Sequence, residues 1–122
     1  MEDVQRVDSE YKYGLEKYNA LIEMDCCCFF EYNIGADRLT FSNNMVIPEL
    51  SGKVIEHSTF QMSSIIVDRD VPIVNEFLHF ASESPVEFRI KGFVQNAIWC
   101  QARGNAIKDD EGNTIAFVGY IL

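Results

Sequence analysis

The sequence predicts a single α+β domain preceded by an amphipathic helix. Three observations carry this reading: apolar residues spaced by three and four near the N-terminus, a second helical stripe opening at Asp70, and period-two alternation from Val86 to the end. A chain of 122 residues fits one domain, and 48% hydrophobic content with 12% aromatics excludes disorder. With 10 basic residues, dispersed along the chain, against 19 acidic ones, the net charge of -9 disfavours nucleic acid and anionic membranes as partners. The opening "MEDVQRVDSE" lacks the basic-then-apolar order of a signal peptide, and no apolar run reaches the length of a membrane span, so a cytoplasmic location without direct membrane contact is expected.

Taken in order, Val4, Val7, Tyr11, Leu15, Tyr18 and Ile22 form one helical stripe within residues 1–24, weakened locally by Gly14. The domain proper is expected over residues 25–122. The segments "CCCFFEYNI" and "DRLTFSN", joined through Gly35 to Asp37, read as a hairpin. Met45 to Arg69 is mixed and mostly irregular, punctuated by Pro48 and Gly52, with short helical turns around Ser58 to Ile66. "DRDVPIVNEFLHFASE" is a helix with Asp70 as N-cap and Pro72 in the first turn; Val74, Phe77, Leu78 and Ala81 share one face, and Ser84 and Pro85 end it. "VEFRIKG" then alternates Val86, Phe88 and Ile90 against Glu87, Arg89 and Lys91. "FVQNAIWCQARGNAI" makes a longer strand, "KDDEGN" a turn around Gly112, and "TIAFVGYIL" a last apolar strand.

Cys26, Cys27 and Cys28 lie side by side. Zinc thiolates come as C-x2-C pairs matched by a second pair or by histidines, whereas His57, His79 and Cys100 are scattered here without a pairing motif, so no metal site is expected. Adjacent strand residues point to opposite faces and a cytosolic compartment keeps thiols reduced, which predicts that no two cysteines are bridged.

The segments "FFEYNIGADRLTFSNNM", "IVDRDVPIV" and "VEFRIKGFVQNAIWCQARGNAIKDDEGNTIAFVGY" together resemble a PAS domain, the sensor module of many signalling proteins. The likeness runs from about Cys28 to Leu122. Its markers are the E-x-R strand of Glu87 and Arg89, Trp99, Gly104, the turn of Asp110 and Gly112, and Gly119. The resemblance implies a five-stranded antiparallel sheet, with the first two strands beside the last one and helices on one face, and a pocket between that face and the helices. Carrying the strand phase across, Cys28, Phe30, Tyr32, Phe88, Ile90, Cys100, Ala102, Phe117, Gly119 and Ile121 face the pocket, with Phe77 and Leu78 opposite them on the main helix.

This inward list is almost wholly apolar, with Tyr32 as its main polar handle. Either the side chains close on each other as a filled core, or they line a pocket for a small, mostly apolar ligand oriented by Tyr32. The resemblance also supplies tests for cofactors. Flavin-binding relatives carry a reactive cysteine in an N-C-R-type helix motif, which is missing between Ser51 and Val71. Haem-binding relatives use a histidine on the main helix, but His79 sits about 200° from Phe77 and points away from the core stripe. No cofactor is expected.

On the opposite sheet face, Phe29, Trp99, Val118, Tyr120 and Leu122 form an apolar patch that the N-terminal stripe of Tyr11, Leu15, Tyr18 and Ile22 could cover. In the family such a helix packs on this face or against a partner's helix. A homodimer follows, within a larger protein carrying an effector such as a diguanylate cyclase or histidine kinase; the last strand ends without the D-x-T that often leads there. The domain itself is expected to be non-catalytic, because Glu31 and Glu87 point outward and leave no buried acid or base. A ligand-free protein-interaction module and a small α+β enzyme are the alternatives.

Overall fold

The structure, a computed structural model, describes residues 27–93 and 97–122. The expected N-terminal helix, with Tyr11, Leu15, Tyr18 and Ile22, lies outside the described residues, as does Cys26.

Strand β1 (Cys28–Asn33) buries Cys28, Phe30 and Tyr32 and exposes Glu31 and Asn33, as its alternation requires. The chain reverses because the Asn33 side-chain oxygen accepts the Ala36 N–H at 3.0 Å and Asp37 takes up a left-handed conformation, φ 51. Strand β2 (Arg38–Phe41) then runs back in register, with Phe30 opposite Phe41 and Tyr32 opposite Leu39. A strand not anticipated follows: β3 (Val54–Ile55) pairs with β2. Two residues have no periodicity of their own. What makes them a strand is Gly52 at φ 68, whose N–H bonds to the Ser42 carbonyl at 3.0 Å and folds the chain back against β2.

Helix α1 (Ser58–Gln61) continues into a 3-10 turn, Met62–Ser64, and buries Ser58 and Met62. Ile66 next forms an antiparallel bridge to Ile90, supported by Val67 N–H to the Arg89 carbonyl at 3.0 Å and Lys91 N–H to the Ile65 carbonyl at 2.8 Å. After a second 3-10 turn, Asp68–Asp70, helix α2 (Val71–His79) buries Val74, Phe77 and Leu78. It is shorter than the sequence predicts. Ala81 turns left-handed at φ 46, and the Ala81 and Ser82 N–H groups bond back to Leu78 and Phe77, closing the helix before Ser84 is reached. Asp70 stands at the N-cap position but makes no capping bond; its carboxylate is engaged elsewhere.

Strands β4 (Val86–Ile90), β5 (Ile98–Lys108) and β6 (Thr114–Ile121) complete the domain. β5, expected from Phe93, is described from Ile98; residues 94–96 lie outside the described residues. The turn between β5 and β6 is held by the Asp109 carboxylate, which accepts the Glu111 and Asn113 N–H groups at 3.0 and 2.9 Å. The result is one antiparallel sheet of six strands, ordered β3-β2-β1-β6-β5-β4, so β1 sits between β2 and β6 as the expected layout required. The helical segments pack on one face around Phe117, whose ring meets those of Phe77 and Phe30 edge-on at 4.9 and 5.7 Å. Among the described residues no helix is long and apolar enough to cross a membrane.

Candidate functional site

The interior between sheet and helices is the first candidate. Cys28, Phe30, Tyr32, Phe77, Leu78, Phe88, Ile90, Cys100, Ala102, Phe117 and Ile121 are all buried, and Gly119 is half-buried opposite Gly104. They do not all line one space. A cavity of about 20 Å³ is bounded by Phe30, Phe77, Leu78, Phe88, Ala102 and Ile121, together with Leu39 and Phe41 of β2, Val74 of α2, and Leu50, Met62, Ile65 and Ile66 from the irregular middle. Cys28, Tyr32, Ile90, Cys100 and Phe117 are packed away from it. Room for about one water molecule, with only apolar walls, makes this interior nearly filled.

The thiols show the same closure. Burial pushes the Cys28 thiol up to about 12, with Cys27 and Cys100 adding to the rise against a hydrogen bond from Asn44. Burial and then Glu49 push Cys100 to about 11. Both are free, and both are held as neutral thiols unsuited to nucleophilic work. Among the described residues no cluster of histidine, cysteine and carboxylate side chains could hold a metal ion.

Tyr32 does not serve the cavity. Its hydroxyl donates to Asp37 Oδ1 at 2.6 Å, at the turn between β1 and β2. The same carboxylate accepts the Thr59 hydroxyl at 2.9 Å and the Thr59 N–H at 3.1 Å, which ties the turn to the start of α1. Thr59 Oγ1 also lies 2.9 Å from His79 Nε2, and Asn75 donates to the Thr59 carbonyl at 3.2 Å, so α2 joins the same network. His79 is exposed, as its helical phase predicts, but it closes a seam between two helices. Burial raises the Tyr32 phenol to about 12, helped by the bond to Asp37. Burial also pushes the Asp37 carboxyl up, but the Tyr32 and Thr59 donors, with His79 nearby, outweigh it and hold the group below the usual carboxylate range.

A second polar unit lies at the other end of α2. Asp70, 5% exposed, receives the Arg89 backbone N–H at 2.8 Å, its Nε at 2.9 Å and its Nη2 at 2.9 Å. The Arg89 hydrogen bonds hold the Asp70 carboxyl well below its ordinary value against the opposing effect of burial. Arg89 in turn places its guanidinium 5.0 Å from the centre of the Trp99 ring.

These two carboxylates contribute to the acid behaviour, together with Asp109, which the N–H groups of the β5–β6 turn also hold low. A folded-state carboxyl held below its unfolded value of about 3.9 contributes stability that is complete above that value and lost as pH falls through the folded one. Thermal melts of the protein, of Asp37→Asn and of Asp70→Asn at stepwise lower pH should show a steeper acid decline for the parent than for either variant. A variant whose decline parallels the parent's would remove that carboxylate from the account.

Trp99 and Cys100 diverge as adjacent strand residues must: Cys100 is buried and Trp99 is 67% exposed on the outer face. Tyr120 and Leu122 are exposed there at 36% and 57%, and Phe29 and Val118 are half-buried. Phe29 is opposite Tyr120 and Val118 is opposite Glu31 across β1 and β6. The outer face therefore carries an apolar lane interrupted by charged residues.

No family model and no curated protein matches the sequence. Solved structures do match its fold. A sensory box histidine kinase/response regulator from Burkholderia thailandensis is 16% identical, with 87% of this chain and 82% of that chain covered at a TM-score of 0.56. The N-terminal domain of a diguanylate cyclase with a PAS/PAC sensor from Marinobacter aquaeolei is 11% identical, with 79% and 93% covered at 0.53. A light-oxygen-voltage domain studied with a flavin analogue is 14% identical, with 84% and 81% covered at 0.52. At these identities the likeness concerns the fold, which is that of the sensor domains of signalling proteins. The chain folds as a PAS domain.

The light-oxygen-voltage likeness raises the question of flavin. Sites for ligands of that class run to roughly 300–1,000 Å³, and the space between sheet and helices in this structure is about 20 Å³.

Proposed function

We propose that this chain is a non-catalytic sensory and dimerisation module of a cytoplasmic signalling protein, working through its outer sheet face. The observation that carries the reading is the exposed apolar lane of Trp99, Tyr120 and Leu122 beside Phe29 and Val118, on a PAS fold whose interior is closed. The stripe of Tyr11, Leu15, Tyr18 and Ile22 supplies matching apolar side chains, each worth about 1.5–3 kcal/mol when fully buried, before ordering costs. Heptad-like spacing presents the same stripe to a two-fold partner, which favours a symmetric homodimer with the N-terminal segment at the interface. The histidine kinase and diguanylate cyclase contexts of the similar structures support an attached effector of that kind.

The nearly filled interior favours a ligand-free module over a ligand sensor. A small, mostly apolar ligand remains the second reading, supported by the wholly apolar walls of the cavity. The test is deletion of residues 1–24 followed by sedimentation. The truncated protein is expected to fall from dimer to monomer with its β-sheet circular dichroism retained. A truncated protein that stays dimeric at micromolar concentration removes the segment from the interface.

A further inference from the structure

Asp70, Arg89 and Trp99 come from three separate elements: the turn entering α2, the edge strand β4, and β5. Asp70 is buried at the helix side of the domain, while Trp99 is on the outer sheet face. Between them stands a single guanidinium. Its nitrogens are committed in a fork to Asp70, with Nε to Oδ2 and Nη2 to Oδ1, both at 2.9 Å, and its Cζ lies 5.0 Å from the Trp99 ring centre. Arg89 and Trp99 are also direct cross-strand partners in register.

We infer that Asp70, Arg89 and Trp99 act as one mechanical coupling, through which the position of the N-terminal end of α2 sets the position of the Trp99 ring on the outer face. The coupling follows from the two sides of a planar guanidinium. A fork of hydrogen bonds fixes its plane relative to Asp70, and a ring packed against it follows that plane; lysine, a point charge on a flexible stem, can do neither. The backbone adds a second tie, because the Arg89 N–H also bonds to Asp70 Oδ2 at 2.8 Å. A displacement of the α2 end must break these bonds or carry the guanidinium with it. Trp99 borders an open groove of about 280 Å³ shared with Glu87, Gln101 and Leu122, so the moving ring reshapes the surface proposed above as the interaction face.

The use of this coupling in signalling rests on the outer-face reading; its existence does not, and sedimentation of each variant recorded beside its quenching separates them, since a change of assembly that covers or uncovers Trp99 is then told apart from a change at Arg89. Trp99 is the chain's single tryptophan, so its fluorescence reports the ring directly. Acrylamide quenching is measured for the full chain and for Arg89→Lys, Asp70→Asn and Asp68→Asn. Asp68 pairs with Lys91 at 3.5 Å on the exposed surface beside the unit and serves as the control. Trp99 is already 67% exposed, so Arg89→Lys and Asp70→Asn are each expected to raise the quenching constant by no more than about 1.5-fold as the ring loses its remaining cover, while Asp68→Asn leaves it at the parent value. Should Asp70→Asn fail to fold, Asp70→Glu, which keeps the charge and shifts the guanidinium by one methylene, carries the same expectation. A folded residue-70 variant with parent quenching overturns the coupling, since it shows that Trp99 does not sense Asp70.

Discussion

Phe117→Ala is expected to destabilise the domain by about 3–5 kcal/mol, the cost of removing a fully enclosed aromatic ring. The ring is 0% exposed and wedged between Phe30 and Phe77. Its tip lies over Gly104: a Cβ built there would meet Phe117 Cζ at 2.5 Å, so the strand beneath carries no side chain that could swing into the space. The neighbours are held by the sheet register and by α2, and the hole therefore stays open. It would be a new apolar hole, lined by Phe30 and Phe77, which also bound the small cavity that Phe117 itself does not reach. Apolar holes of this kind stay dry and bind small apolar molecules. Urea denaturation with and without benzene checks both points: benzene should raise the midpoint of Phe117→Ala and leave that of the parent unchanged. A loss below about 1.5 kcal/mol, or no benzene effect, would mean that the core collapses around the deletion.

Gly119→Ala is the second large effect, expected at about 3 kcal/mol and from the opposite cause, overpacking. Gly119 and Gly104 face each other across β5 and β6. A Cβ on Gly119 would run into the Arg103 carbonyl oxygen, with the Arg103 carbonyl carbon and Gly104 Cα at 2.7 Å. These are backbone atoms fixed by the ladder on both sides, so relief requires the strands to part. A Cβ on Gly104 meets the end of the Phe117 ring at 2.5 Å, side chain and not backbone, so the strain falls on the packing of that ring against Phe30 and Phe77 and leaves the ladder intact, and Gly104→Ala should cost less. Chemical denaturation of the two variants gives the order; the reverse order would contradict the β5–β6 register.

The parts of this fold visible in the sequence are those whose period is local. Phe88 and Ile90 alternate with Glu87, Arg89 and Lys91 and are buried. The hairpin from Cys28 and the buried stripe of α2 were visible for the same reason. Cys100, Ala102, Phe117 and Ile121 are buried too, but they stand among apolar neighbours such as Trp99, Val118 and Tyr120, and only the family likeness gave their phase. What escaped depends on partners distant in the chain. Val54 and Ile55 become a strand only because β2 is there to pair with. Asp70 carries the composition of a helix cap, yet Arg89, 19 residues on, offers it a fork of charged donors that outcompetes capping. Tyr32 has the parity of a pocket residue, and only the left-handed turn at Asp37 reveals where its hydroxyl goes. Helical phase places His79 at the surface correctly, but its contact with Thr59 spans 20 residues and leaves no local pattern.

The bridge between Ile66 and Ile90 also bears on how copies of this chain can meet. Along β4, the Arg89 carbonyl is taken by Val67, the Lys91 N–H by Ile65 and the Arg89 N–H by Asp70, so few backbone groups are left there to template a foreign strand. At the other margin, β3 offers only the two residues Val54–Ile55. Both borders of the sheet thus resist extension by an added chain, which protects the folded domain against strand-swapped and fibrillar aggregates. Assembly is steered toward contacts between whole faces, where side chains rather than hydrogen-bond ladders choose the partner.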